Sequence, residues 1–143
     1  MTRKRGAALV AVEPSPTTDA ESCARNRQLL EGFARAWQAH DIDAVMACMS
    51  DDVIYDASVG DGPGTRYHGR DAVREGVVAM LAFDAVSAMH VDTLCVHSDF
   101  AVVSWRYEFV ARHGAANAVR GVDVMRFRDG HIVLKDAFRK AHR

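Results

Sequence analysis

Apolar residues recur at helical spacing through the first half of the chain and at alternate positions through the second. Leu29, Leu30, Phe33, Ala34 and Trp37 fall on one stripe of a helix that runs to about Ala39, because residues three and four apart share a helix face. Ahead of it, Thr18-Asp19-Ala20-Glu21 has the spacing of a capping box, in which hydroxyl and carboxylate satisfy orphan N–H groups. Asp41 can cap a second, short helix from Ile42 to Met49, with Ile42, Val45, Met46 and Met49 inward. A third helix is predicted from Asp71 to Leu81, where Val73, Val77, Met80 and Leu81 keep core spacing. Val53 to Ala57 alternates as a short strand, with Tyr55 and Ala57 on one face and Asp56 on the other. Val59 to Gly64 is a glycine-rich loop. It lacks the GxxxxGK[ST] pattern and so implies no phosphate cradle.

From Val86 the period becomes two. Strands are expected at about Val86–Val96, Ala101–Arg112, Asn117–Arg128 and His131–Arg139, with turn signals at Ser98-Asp99, His113-Gly114 and Asp129-Gly130. Helices first and a meander afterwards predict an α+β fold, a curved antiparallel sheet packed on three N-terminal helices. One such domain spans residues 18–143, and residues 1–17 are expected to form a flexible tail. Within that tail Arg3-Lys4-Arg5 leads only the short apolar run Ala7 to Val12, cut off by Glu13 and prolines. That run is shorter than the core of a good signal peptide.

Asp129-Gly130 is the strongest turn signal, because both central residues of a two-residue hairpin loop must reach φ > 0. Counting outward, Arg128 faces His131, Met125 faces Leu134 and Asp123 faces Asp136. Asp123, Met125 and Phe127 then share a face with Ile132, Leu134, Asp136 and Phe138. Two directly opposed carboxylates on an apolar face repel each other and call for a cation or a shared proton. With His113 to Ala116 as the preceding loop, Arg106 faces Asp123 and Glu108 faces Gly121. Arg106, Asp123 and Asp136 then line up across three strands, with Glu108 beside them. One guanidinium can hold two carboxylates. Burial and repulsion raise the pKa of one acid while the arginine lowers that of its nearest partner, and such a split provides a proton donor and an acceptor. A purely structural arginine–carboxylate network is the alternative.

Composition narrows the chemistry. The chain has 143 residues, 49% hydrophobic and 26% charged, with a formal net charge of -1. That is ordinary for a soluble globular domain and gives no ground for a nucleic-acid or membrane partner. Cys23, Cys48 and Cys95 are odd in number and without CxxC or Cys/His ligand spacing. They read as free thiols in a reducing compartment, the cytoplasm, with no metal site. No GxSxG nucleophile motif is present. Proton transfer without a covalent intermediate or a cofactor fits best, on an apolar small-molecule substrate. The candidate catalytic residues read from the strand registers are Asp136, Arg106, Glu108 and Asp123. The candidate substrate-binding residues are Phe33, Trp37, Met80, Met125, Leu134 and Phe138, with Phe33 and Trp37 also serving as core. Trp105, Tyr107 and Phe109 alternate onto the face opposite Arg106, and three outward aromatics predict a homodimer.

Four short stretches, Ala39-His-Asp-Ile-Asp43, Ser50-Asp-Asp-Val53, His68-Gly-Arg-Asp-Ala-Val73 and Arg128-Asp-Gly-His-Ile132, resemble the SnoaL-like group of the nuclear transport factor 2-like superfamily. The resemblance covers about Leu29 to Lys140. It implies a cone-shaped α+β fold with a pocket between a curved sheet and its helices. Within that group the pattern is similar to limonene-epoxide hydrolases. Trp105-Arg106-Tyr107-Glu108 matches their Arg-x-Asp strand with Glu for Asp, Lys135-Asp136-Ala137-Phe138 matches their final strand, and Tyr55 matches their tyrosine. The resemblance implies that one carboxylate activates water, the other protonates an epoxide, and the arginine bridges them, and it adds Tyr55 to the candidate catalytic residues. Ala57 stands where those hydrolases carry a water-positioning asparagine. Asp123 resembles the oxyanion-donating aspartate of ketosteroid isomerases, whose tyrosine and base positions are Phe33 and Ala57 here. Epoxide hydrolysis is therefore the first expectation, and polyketide cyclisation or isomerisation the second. A ligand-binding or scaffold domain without turnover is the third.

Overall fold

The computed structural model describes residues 19–83, 87–110 and 116–140. The elements run α1 (Ala20–Gln38), α2 (Ile42–Ala47), β1 (Met49–Asp56), β2 (Arg66–His68), α3 (Arg70–Phe83), β3 (Ala88–Val96), β4 (Phe100–Val110), β5 (Ala116–Arg128) and β6 (His131–Arg139). They form a helix layer on one six-stranded sheet of order β2-β1-β6-β5-β4-β3, the cone-shaped α+β architecture expected. The expected tail and the His113-Gly114 turn lie outside the described residues.

Local chemistry sets the helix ends. Asp19 caps α1 by accepting from the Glu21 N–H at 3.0 Å, so the cap falls one residue after Thr18. Asp41 caps α2 by accepting from the Ala44 N–H at 3.0 Å. Leu30, Phe33 and Trp37 of α1, Val45 and Met46 of α2, and Val73, Val77, Met80 and Leu81 of α3 are all buried against the sheet. The Asn26 side chain donates to the carbonyls of His97 and Ser98 at 3.1 and 2.9 Å, which pins α1 to the β3–β4 turn.

The sheet is mixed rather than antiparallel throughout, because β1 runs parallel to β6. Strands far apart in sequence and linked through a helix are free to pair in parallel. β2 is too short for a periodicity to reveal it. It pairs with β1 and stacks Tyr67 on Tyr55 at 6.0 Å.

Two registers decide which side chains face the helices. The final turn forms as expected, with Asp129 at φ 51 and Gly130 at φ 74, and Arg128 faces His131. Phe127 then pairs with Ile132, but Arg126 pairs with Leu134, so Val133 is an extra residue on β6. A bulge of one residue turns every side chain beyond it to the other face. Asp123 therefore faces Ala137, and Met125 faces Lys135. Lys135 and Ala137 are buried on the inner face, while Phe138 is 56% exposed.

The β4–β5 register differs from expectation by an odd number of residues. Val110 faces Ala116, Arg106 faces Arg120, Trp105 faces Gly121 and Val103 faces Asp123. Ala101, Val103, Trp105 and Tyr107 are consequently buried on the inner face, and the polar alternates Ser104, Arg106 and Glu108 turn outward. Burial of the apolar set drives this choice. Trp105 and Tyr107 thus lie inside the cone, so two of the three aromatics on which the expected homodimer rested do not face outward.

Gly121 makes room for this arrangement. A Cβ there would sit 2.3 Å from both the Trp105 ring and the Phe138 carbonyl oxygen. Gly121→Ala is expected to push the Trp105 ring aside and cost about 1–3 kcal/mol, as overpacking does. Chemical denaturation with tryptophan fluorescence checks both effects, and an unchanged midpoint and spectrum would show that the ring does not depend on this glycine.

Candidate active site

The inner face of the sheet, α1 and α3 enclose a cavity of about 420 Å³. Alternation on four neighbouring strands supplies its floor. Tyr55 of β1 sits beside Lys135 of β6, Lys135 faces Met125 of β5, and Asp123 lies between Val103 of β4 and Ala137. Phe33, Trp37 and Met80 close it from the helices.

The chemistry-bearing pair is Asp123 and Lys135. Lys135 Nζ lies 2.9 Å from Asp123 Oδ2, and the two side chains are only 5% and 7% exposed. The other carboxylate oxygen accepts from Trp105 Nε1 at 2.9 Å. The Lys135 ammonium also stands over the rings of Trp37 and Tyr55, at 5.0 and 4.8 Å from their centroids. Aromatic faces attract a cation electrostatically, so the ammonium is held by one carboxylate and two rings. A second thread fixes the aromatic wall. Trp37 Nε1 donates to the Tyr107 hydroxyl at 2.7 Å, and Tyr107 meets Trp105 edge-on at 5.4 Å.

Of the expected catalytic residues, the cavity brings together Asp123 and Tyr55, and of the expected binding residues Phe33, Trp37, Met80 and Met125. It does not bring together Asp136, Arg106 and Glu108. The Val133 bulge turns Leu134, Asp136 and Phe138 to the outer face, and the β4–β5 register does the same to Arg106 and Glu108.

On that outer face Arg106 bonds Glu108 at 2.9 Å and pairs with Asp92, and His90 lies 3.5 Å from Glu108. The hydrogen bond from Arg106 is the main cause holding the Glu108 carboxyl below its ordinary range. Asp136 faces Asp56 across β1 and β6, and Arg66 clamps Asp56 with two bonds of 2.6 and 2.8 Å.

The two outer-face acids split accordingly. The Arg66 hydrogen bond pulls the Asp56 carboxyl down. Burial, then the Asp56 charge, pushes the Asp136 carboxyl up against the pull of Arg66. An acid whose folded pKa is raised binds more protons folded than unfolded. Its contribution to stability therefore falls as pH rises from its unfolded value towards its folded one. Asp136→Asn is expected to raise the melting temperature at pH 7, with the gain shrinking as pH falls to the ordinary aspartate value of 3.8. Melting curves at two pH values check this, and a lower melting temperature at pH 7 would contradict it.

Sequence reasoning missed Lys135, Trp105, Tyr107 and Arg139 as cavity residues. The alternation of Ala101, Val103, Trp105 and Tyr107 against Val102, Ser104, Arg106 and Glu108 was signal enough for β4. Nothing local in β6 signals its bulge. Among the described residues no cluster of three or more His, Cys, Asp or Glu side chains is placed to hold a metal ion, and no helix is long and apolar enough to cross a membrane.

No curated protein matches the sequence. Solved structures do. An NTF2-like protein of unknown function from Mesorhizobium loti is similar with a TM-score of 0.70 at 26% identity, over 83% of this chain and 93% of that one. A candidate polyketide cyclase from Xanthomonas campestris pv. campestris has a TM-score of 0.63 at 18% identity, over 82% and 91%. TerC, co-crystallised with polyporic acid, has a TM-score of 0.68 at 16% identity, over 81% and 92%. The SnoaL-like domain matches residues 30–135, which takes in the second half of α1, all of α3 and of β1 to β5, the first half of β6 and the Asp123–Lys135 pair. The chain belongs to the SnoaL-like domain family.

Proposed function

We propose that the protein is a cofactor-independent acid–base enzyme of the cyclase or isomerase kind, acting on an aromatic or polyketide-like carbonyl compound. The observation that carries this reading is a carboxylate, Asp123, set with an ammonium in the wall of an aromatic cavity. The volume of about 420 Å³ falls within the 300–1,000 Å³ typical of small-molecule pockets, roughly. Asp123 removes a proton from the carbon next to the carbonyl. Lys135, 2.9 Å from that carboxylate, offsets the negative charge that develops on the substrate oxygen. Returning the proton to a different carbon isomerises the substrate. Attack of the carbanion on a second carbonyl cyclises it.

The names of family neighbours lean the same way, since one of them is a candidate polyketide cyclase. Epoxide opening draws less support, because the carboxylates and arginine it needs lie on the outer face. A binding protein without turnover is favoured by one feature: both Asp123 oxygens are already engaged, by Trp105 and Lys135.

Proton exchange separates the readings. With 2-tetralone in heavy water, NMR should show enzyme-dependent deuteration at the carbons beside the carbonyl. Protection of the protein against thermal unfolding by the same ketone, without exchange, would instead favour the binding protein. Hydration of an epoxide panel without exchange would favour the hydrolase.

A further inference from the structure

Lysine is scarce in this chain. Of its 18 basic residues only Lys4, Lys135 and Lys140 are lysines, and the rest are arginines. Lys140 is exposed, and Lys4 lies outside the described residues. Lys135 stands in the cavity wall. For a buried ion pair arginine is the ordinary choice, because its guanidinium is weakly hydrated and forks onto a carboxylate. A lysine in that place differs in one respect: its amine can give up a proton and become a nucleophile. The acceptor for that proton is at hand, since Asp123 Oδ2 lies 2.9 Å from Lys135 Nζ. Moving the proton across this contact turns two buried charges into an amine and an acid, and the hydration that buried charges forfeit offsets much of the Coulomb energy lost. The rings of Trp37 and Tyr55, 5.0 and 4.8 Å from Nζ, favour a cation there. An iminium nitrogen is such a cation, so rings and carboxylate hold the nitrogen alike before and after it bonds to carbon.

We infer that Lys135 forms a Schiff base with the carbonyl carbon of a ketone or aldehyde substrate. This deepens the proposed function and rests on it for the carbonyl substrate and for Asp123 as the base. The ammonium first passes a proton to Asp123. The nitrogen lone pair then bonds to the carbonyl carbon, the C=O pair moves to oxygen, and Asp123 returns the proton to that oxygen. Asp123 carries one further proton from nitrogen to the same oxygen, which leaves as water as the C=N bond forms. Of the three ammonium hydrogens, two depart in the water and one stays on the iminium nitrogen, so nothing is oxidised or reduced. Asp123, a carboxylate again, takes a proton from the adjacent carbon. The C–H pair becomes the C=C bond of an enamine, and the C=N pair moves to nitrogen. A cation bonded to the reacting carbon skeleton accepts that pair outright, where an ammonium beside the oxygen only attracts the charge. Protonation at carbon and addition of water reverse the steps and free the amine.

Incubation of the full chain with 2-tetralone and cyanoborohydride tests the inference, because hydride adds to an iminium carbon and fixes the adduct. The intact mass should rise by that of the ketone less one oxygen atom. Peptide mapping should place the gain on Lys135 ahead of Lys140 and the N-terminal amine. Lys135→Arg keeps a cation facing Asp123 but forms no C=N bond, so it should show only the slow labelling of exposed amines, and its proton exchange should fall. A wild-type protein without adduct, or with adduct confined to Lys140 and the N-terminus, would overturn the inference. So would exchange that survives in a folded Lys135→Arg within about tenfold of the wild type, less than the usual share of one catalytic group; the proposed function would then stand without the Schiff base. An adduct on Lys135 without exchange would sink the proposed reaction alone. Should the arginine variant fail to fold, the wild-type mapping decides.

Discussion

Lys135→Met is expected to lower stability by about 3–5 kcal/mol, and combining it with Asp123→Leu to restore most of that loss. The single change leaves the Asp123 carboxylate in a wall where its side chain is 7% exposed, with only Trp105 Nε1 still donating to it. A buried charge without its partner forfeits hydration and gains nothing in return. The double change removes both charges and fills the space with side chains of similar length, which in buried ion pairs is often neutral or stabilising. The rings of Trp37 and Tyr55, 5.0 and 4.8 Å from Lys135 Nζ, would pack against a methionine as readily. Denaturant unfolding of the two single variants and the double gives the coupling directly. Additive losses below about 1 kcal/mol each, the range of solvent-exposed pairs, would mean that water reaches the pair. A double variant as stable as the wild type would mean that the fold does not need the charges, and would turn attention to what the cavity does with them.

The placement of these groups marks how far the sequence could be read. Helix stripes, the Asp41 cap, the start of α1 to within one residue, the Asp129-Gly130 turn and the four long strands were legible, because each is written in the spacing of nearby residues. The cone-shaped fold was legible from the four short stretches that resemble its superfamily. The faces of the sheet beyond the turn were not. A single extra residue, Val133, exchanges Leu134, Asp136 and Phe138 for Lys135, Ala137 and Arg139. Its cause is non-local. Ile132 is fully buried and sits beside Met49 of β1, while the strand beyond must place its inner side chains against Asp123 and Trp105. On β4 the apolar alternation alone points Trp105 and Tyr107 inward. The resemblance of Arg106-x-Glu108 to a hydrolase strand pointed the other way. The burial of four apolar side chains outweighs a two-residue match, and Asp123 is the one candidate acid that both registers leave inside.

Asp123→Asn is expected to slow wild-type proton exchange by about 10²–10⁴-fold, the usual share of general acid–base catalysis. The amide keeps the size of the side chain and one oxygen, which can still accept from Trp105 Nε1 as Asp123 Oδ1 does at 2.9 Å. It cannot take a proton from carbon, and its NH₂ group would then face Lys135 Nζ, donor against donor, where the carboxylate now stands at 2.9 Å. The variant should therefore lose stability as well as rate, and rate alone would not separate catalysis from damage. Asp123→Asn with Lys135→Met resolves the two effects. Removing the ammonium relieves the clash of donors and the unpaired charge, so melting temperature should recover towards that of the wild type. Exchange should not recover, because no group in the double variant accepts the proton at that place. A double variant that is stable and inactive fits the Asp123–Lys135 pair as the centre of proton transfer, with its loss of exchange no longer explained by damage to the fold. One that is stable and exchanges within tenfold of the wild type would show that the proton goes elsewhere, and that the Asp123–Lys135 pair only shapes the cavity.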